Sequence, residues 1–215
     1  MPPADDTLKS LGLDALVANQ RFTRDATGIV LDPADIRVVS VTPELLRSLH
    51  GVAEKERPGA WQSVMKASGR TAGQQIARTV DRRLIDLRKP ALGSLPFEAC
   101  LVFIERYFGA HGWGRLAFDL SVAAEHGIVV ARLEHSYGAA VLRPAGGMLD
   151  PIVTGMLQGF FEHATGQTLG CEEIGCAGRG ATHCTFVLAA PDRLASILTF
   201  VGREPADAIL RRLKG

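Results

Sequence analysis

The 215-residue chain carries 24 Lys and Arg against 23 Asp and Glu, a formal charge of +1, with 47% hydrophobic and 22% charged residues. That apolar content can bury one sizeable core, while the near-zero charge gives no strong field for a nucleic-acid backbone or an anionic membrane surface. Nucleic acid is therefore not an expected partner, and no stretch approaches the roughly 18 consecutive apolar residues of a membrane span.

The N-terminus, "MPPADDTLKSLG", places prolines and aspartates where a secretory signal needs basic and then apolar residues. The four cysteines are too few for a secreted disulfide scaffold, and three of them (Cys171, Cys176 and Cys184) are clustered, so the chain reads as cytoplasmic. Residues 1–22 read as an amphipathic leader with Leu8, Leu11, Leu13, Leu16 and Val17 available to dock. One domain, 23–190, follows, and then a helical tail, 191–215, with a break near Glu204 and Pro205.

Within the domain, "DIRVVSVTP" reads as a β-branched strand that Thr42 and Pro43 convert into a helix start. Two helices are predicted next. In the longer one, Trp61, Val64, Ser68, Ala72, Ile76, Val80 and Leu84 make an inner stripe, with Gly69 and Gly73 allowing close helix approach within the fold or across a dimer. A third helix spans Phe97 to Phe108. "WGRLAFDLSV" and "GIVVARLEHS" form an antiparallel hairpin around Glu125–Gly127, and a strongly amphipathic helix carries Leu149, Ile152, Val153, Met156, Leu157, Phe160 and Phe161. The fold class is thus α/β (α+β), an antiparallel sheet of hairpins packed against helices.

The stretch "EEIGCAGRGATHCTF" carries the chemistry. If "TLGCEEI" and "HCTFVLA" are paired strands, Leu169, Cys171 and Glu173 share the inner face of one. Cys184, Phe186 and Leu188 share that of the other, leaving His183, Thr185 and Val187 outward. A buried carboxylate needs a cation or several donors, and Cys176 can turn in from the intervening turn to make a Glu173, Cys176, Cys184 set suited to zinc. The alternatives are cysteines acting as small core residues with Glu173 paired to Arg179 or Arg132, or a Cys176–Cys184 redox pair. Asp150, followed by Pro151, reads as a helix N-cap. "GCAGRG" lacks the ending of a phosphate-binding loop and reads as a turn, and Cys100 reads as core.

The pattern Glu173-x2-Cys176-x3-Gly180-x3-Cys184-x-Phe186, preceded by "GMLQGFF", resembles the 4-vinyl reductase domain family, with the specific match over residues 148–190. That family includes a bacteriochlorophyll-synthesis protein, predicted hydrocarbon-binding proteins and sensor domains of aromatic-responsive activators. The layout is also similar to the small core subunits of the TRAPP vesicle-tethering complex. The resemblance implies a zinc-clasped domain around an apolar cavity, often in a homodimer. Zinc-bearing relatives carry a further cysteine before the amphipathic helix; that position falls on Asp150, which makes Asp150 a fourth candidate ligand and the set a harder one. Trp61, Phe103, Trp113, Phe118 and Phe160 are candidate cavity residues, and the family layout adds Cys171.

The chain shows no dinucleotide fingerprint and no cysteine cluster for an iron–sulfur centre. A non-catalytic module for an apolar small molecule, aromatic or tetrapyrrole-like, acting as sensor or carrier, is therefore expected over the alternative of a 4-vinyl reductase or its accessory in bacteriochlorophyll synthesis. A second alternative is an assembly subunit with a protein partner.

Overall fold

The computed structural model describes residues 4–17, 22–143 and 147–214. Of the predicted leader, residues 1–3 and 18–21 lie outside the described residues, as does Gly215 of the tail. The rest of the leader docks as its leucines require: in α1 (Ala4–Leu11) and a 3-10 turn (Asp14–Val17), Leu8, Leu13, Leu16 and Val17 are buried in the main core.

Three two-residue strands, β1 (Thr23–Arg24), β2 (Val30–Leu31) and β3 (Arg37–Val38), form a small antiparallel sheet of their own. The strand expected in "DIRVVSVTP" is cut to Arg37–Val38, because β2 begins at Val30 and has nothing further to pair with it. Helix α2 (Pro43–Glu56) starts as predicted: Thr42 Oγ1 accepts the Leu45 N–H at 3.3 Å, with Pro43 in the first turn.

Helix α3 (Ala60–Asp86) corrects the predicted stripe. Its buried face runs through Trp61, Gly69, Gly73, Ile76, Ala77, Val80 and Leu84, while Val64, Ser68 and Ala72 are exposed. The reason lies in α7 (Pro151–Thr165), described below with the strands it supports, which presents glycines of its own. A Cβ on Gly69 would stand 2.1 Å from Ile152 O, and one on Gly73 2.1 Å from Met156 O. From the other side, a Cβ on Gly155 or Gly159 would stand 2.0 Å from Lys66 O or Arg70 O. The two helices therefore meet backbone to backbone along the glycine rows, so the close approach allowed by the sequence occurs within the fold.

Helix α4 (Phe97–Ala110) lies against the leader and the main sheet. His111 at its end holds the small sheet: its Nε2 lies 3.3 Å from Asp32 Oδ2, while Asp32 Oδ1 accepts the Ala34 and Ile36 N–H groups. Strand β4 (Arg115–Asp119), short helix α5 (Ala123–His126) and β5 (Val129–Glu134) make the predicted hairpin. A short helix the sequence reading missed, α6 (Tyr137–Val141), follows; Ser136 caps it, its Oγ accepting the Ala139 N–H at 3.1 Å.

After α7 come β6 (Gly170–Gly175) and β7 (Cys184–Ala189), and the main antiparallel sheet runs in the order β4-β5-β7-β6. One face (Ala131, Leu133, Cys171, Cys184, Phe186, Leu188) joins the main core with α3, α4 and α7. The other face (Ile128, Val130, Ile174, Val187, Ala189) forms a second core with Leu194 of α8 (Pro191–Ala195), Ile197, and Ile209 and Leu213 of α9 (Ala206–Lys214). Thr185 and Val187, expected to face outward, are buried because the C-terminal helices cover that face.

Candidate metal centre

Alternation along β6 turns Glu173 to the same face as Cys171, and Glu173 sits opposite Phe186 in the ladder, two residues from Cys184 on β7. The register breaks between Glu173 and Gly175, and the chain then enters a 3-10 turn, Ala177–Arg179, with Cys176 at its N-terminal boundary. The turn folds back on itself: Cys176 O accepts the Arg179 N–H at 3.0 Å, and the Ala177 N–H donates to Cys184 Sγ at 3.3 Å. One ligand atom each from Glu173, Cys176 and Cys184 lies within 4.8 Å of the others, and all three residues are buried. Tetrahedral zinc with bonds of about 2.0–2.3 Å holds neighbouring ligand atoms about 3.3–3.8 Å apart, so small side-chain adjustments bring the trio to that spacing.

The electrostatics of the trio are unbalanced. Glu173 is 3% exposed; its Oε2 accepts the Asp150 N–H at 2.9 Å, and its Oε1 has no hydrogen-bond partner. Burial pushes its carboxyl well above the ordinary glutamate range, and the neighbouring Asp150 and Cys176 push the same way. Cys176 is lowered to about 6, chiefly by a hydrogen bond with the Cys184 side chain, which pushes Cys184 up in turn. A thiolate on Cys176 with a proton held on Cys184 is thus favoured, beside a carboxylate oxygen with no donor. The arginines that could have neutralised Glu173 are engaged elsewhere: Arg179 donates to Gly202 O at 2.7 Å, and Arg132 pairs with Asp119 at 3.1 Å. All four cysteines are free thiols, and Cys100 is buried with its Sγ 3.9 Å from Leu92 O.

Asp150 stands beside this trio but outside its 4.8 Å grouping. It precedes α7 without capping it through its side chain. Instead its carboxylate accepts Ser136 Oγ–H, with oxygens at 2.6 and 2.7 Å, and the Cys184 side chain. Ser136 is the site residue that the sequence reading missed; it is 14 positions away from Asp150 and no local signal links them.

The six predicted cavity residues lie in or against the main core. Phe103 and Phe160 are stacked with centroids 6.0 Å apart, Phe118 meets Phe161 edge-on at 5.5 Å, and Trp113 tilts against Phe108 at 6.4 Å. Cys171 is fully buried, and Trp61 is buried with its Nε1 unpartnered and its ring against His50. Of the six, Phe103 borders a void of about 10 Å³ that it shares with Ile76, Val80 and Tyr107 under Leu16, Ala34 and Ile36. A separate, more polar cleft of about 650 Å³ opens beside the metal centre, bordered by His50, Glu54, Gln62, Lys66, Thr154, Glu172 and Glu173, with Lys66 and Glu172 paired at 2.5 Å. Among the described residues no helix is long and apolar enough to cross a membrane.

The family model of the 4-vinyl reductase domain matches residues 130–190, which contain β5, α7, β6, β7 and the whole trio. No curated protein matches the chain by sequence. Among solved structures, the chain is similar to the phenol-responsive sensory domain of the transcription activator PoxR, crystallised with phenol. The TM-score is 0.65 and the identity 17%, over 100% of this chain and 98% of that one. It is also similar to a vinyl-4-reductase family protein from Methanocaldococcus jannaschii, with a TM-score of 0.47 and 14% identity over 70% of this chain and 82% of that one.

Proposed function

Residues 130–190 of the chain are a 4-vinyl reductase domain, and we propose that the protein is a non-catalytic sensor or carrier of a small apolar molecule, built around a structural zinc clasp and working as a homodimer. The observation that carries the clasp is Glu173: a buried carboxylate with an unpartnered oxygen, packed against two thiols and reached by no arginine. Glu173, Cys176 and Cys184 would hold the ion, with Asp150 turning from Ser136 as fourth ligand. Zinc supplies a fixed tetrahedral anchor and no redox chemistry. The chain's own residues then do the rest: β6, β7 and the start of α7 are tied together at the edge of the sheet, which fixes one wall of the main core.

The ligand class is supported by the family and by the fold shared over the full chain with a domain that responds to phenol. An aromatic ligand needs far more room than about 10 Å³, since pockets for small molecules are typically ~300 Å³ or more. Binding therefore requires the segment around Ala34 and Ile36 to lift from Phe103 and Tyr107, the softest cover of that void because its sheet is built of two-residue strands.

Native mass spectrometry with elemental analysis tests the clasp. About one zinc per chain is expected, lost in Glu173→Ala and Cys184→Ala with a fall in Tm of about 5 °C or more, which for a chain of this size corresponds to ~2 kcal/mol. Protein that stays metal-free after zinc is supplied overturns the clasp. Calorimetric titration with a panel of substituted phenols and larger aromatics tests the cargo, with saturable binding by at least one of them expected and weakened in Phe103→Ala. No binding across the panel overturns the aromatic reading.

A further inference from the structure

Helix α2 is held on one side only. Leu46 and Ala53 pack against the main core, His50 lies edge-on to Trp61 at 5.2 Å, and Arg47 Nε donates to Val141 O at 3.0 Å. Glu54 accepts the Gly59 and Trp61 N–H groups that begin α3. The opposite side carries Leu45, Leu49 and Val52, which are 50%, 51% and 58% exposed, preceded by Val39 at 88%. None of the residues of α2 is fully buried. Spacings of four and three place Leu45, Leu49 and Val52 in one column, the seam geometry of two packed helices, while a solvated helix face is ordinarily polar. Beside that column runs a second one of Glu44, Ser48, Gly51 and Lys55, all exposed, and a Cβ on Gly51 would meet nothing within 4 Å.

The order of this second column is self-complementary. If a second α2 is laid antiparallel about a two-fold axis at Leu49, then Leu45 faces Val52 of the second copy and Ser48 faces its Gly51, where small side chains let the helices close. Glu44 then faces Lys55 of the second copy, and the axis repeats that pair on the other side. A parallel arrangement would set Glu44 against Glu44 and Lys55 against Lys55. We propose that α2 is an isologous dimer contact on which a second copy of this chain lays its own α2 antiparallel, centred on Leu49. This rests on the homodimer reading above and names its surface. A contact built on a 14-residue helix buries less than the ~800 Å² per partner of a standard interface, so the dimer dissociates at concentrations on the order of micromolar.

Sedimentation velocity from about 1 to 200 µM, with circular dichroism and Tm as folding controls, tests the proposal. The wild type is expected to pass from monomer to dimer, and Leu49→Glu to stay monomeric with its fold and metal content unchanged. Glu44→Lys sets a lysine against Lys55 and is expected to weaken dimerisation at least tenfold, and the double variant Glu44→Lys, Lys55→Glu to restore it. A wild type that is monomeric throughout overturns the homodimer reading together with this surface. A wild type whose dimer survives Leu49→Glu keeps the homodimer and overturns α2 as its contact, and so does capture of a different protein by α2 while the chain dimerises elsewhere. Failure of the double exchange to restore the dimer overturns the antiparallel pairing.

Discussion

A carboxyl group taken from water must find a cation, a proton or donors, and two glutamates of this chain meet that demand differently. Glu173 receives one N–H and stands among thiols and a second carboxylate, the setting of a cation site. Glu105 on α4 accepts the Phe118 N–H at 3.1 Å, yet burial still lifts its carboxyl above the ordinary range. The folded chain therefore holds the Glu105 proton more tightly than the unfolded chain does. Stability contributed by this group is full below the unfolded value of about 4.3, falls as pH rises through the raised folded value, and is level above it. Glu105→Gln keeps the acceptor and removes the charge, so its urea midpoint should exceed the wild type's at pH 7 and converge with it as pH falls toward about 4.5. Equal midpoints at pH 7 would show that Glu105 carries no such penalty. At this scale the sequence was legible where alternation decided the matter: Leu169 and Cys171 mark the inner face that Glu173 shares. It was not legible for the arginines. Arg132 is drawn to its cross-strand neighbour Asp119 and Arg179 to the carbonyl of Gly202, and only the fold sets those distances.

Among the elements, the pairing of α3 with α7 decides the most. Four glycines, Gly69, Gly73, Gly155 and Gly159, replace a side-chain layer with backbone contact. Gly73→Ala would drive a methyl to about the position of the Met156 carbonyl, where helix backbone cannot yield locally. Overpacking of this kind typically costs about 1–3 kcal/mol, and contact with backbone puts Gly73→Ala at or above the upper end. Gly109 on α4 is the control: a Cβ there meets nothing within 4 Å, so Gly109→Ala should stabilise by about 0.5–1 kcal/mol through helix propensity alone. Urea denaturation of the two variants measures both signs, and a neutral Gly73→Ala would mean that the helices separate freely. The same glycines explain the error in the predicted stripe. Hydropathy periodicity weighs Val64 and Ala72 and gives glycine almost no weight, so it rotates the buried face toward residues that are in fact exposed. The stripe of α7 was read correctly because Val153, Met156, Leu157, Phe160 and Phe161 are large and buried together.

For the whole molecule, the strand order β4-β5-β7-β6 joins two local hairpins through the β5–β7 ladder, from Val129 opposite Leu188 to Leu133 opposite Cys184. Each hairpin was visible as alternation on either side of a turn, but the ladder between them depends on non-local pairing that no local pattern encodes. That ladder makes β7 an interior strand with both faces to cover. Helices α3, α4 and α7 cover one face, and the C-terminal segment covers the other with Leu194, Ile197, Ile209 and Leu213. The match to the 4-vinyl reductase domain ends at residue 190, yet burial does not end there. Those side chains contribute about 1.5–3 kcal/mol each, a sum comparable with a whole domain's stability of about 5–15 kcal/mol. A chain stopped after Ala190 would also bare Ile128, Val130, Ile174 and Val187 in one apolar patch. Such a truncation should bind a hydrophobic dye, aggregate on expression, and lose the clasp even though Glu173, Cys176 and Cys184 are all retained, because β6 and β7 would no longer be held flat against a second layer. Zinc content, dye fluorescence and light scattering on the truncated protein check this. A soluble truncation with wild-type zinc would make the tail an appendage, and the stability of the site would then have to come from the α7 side alone.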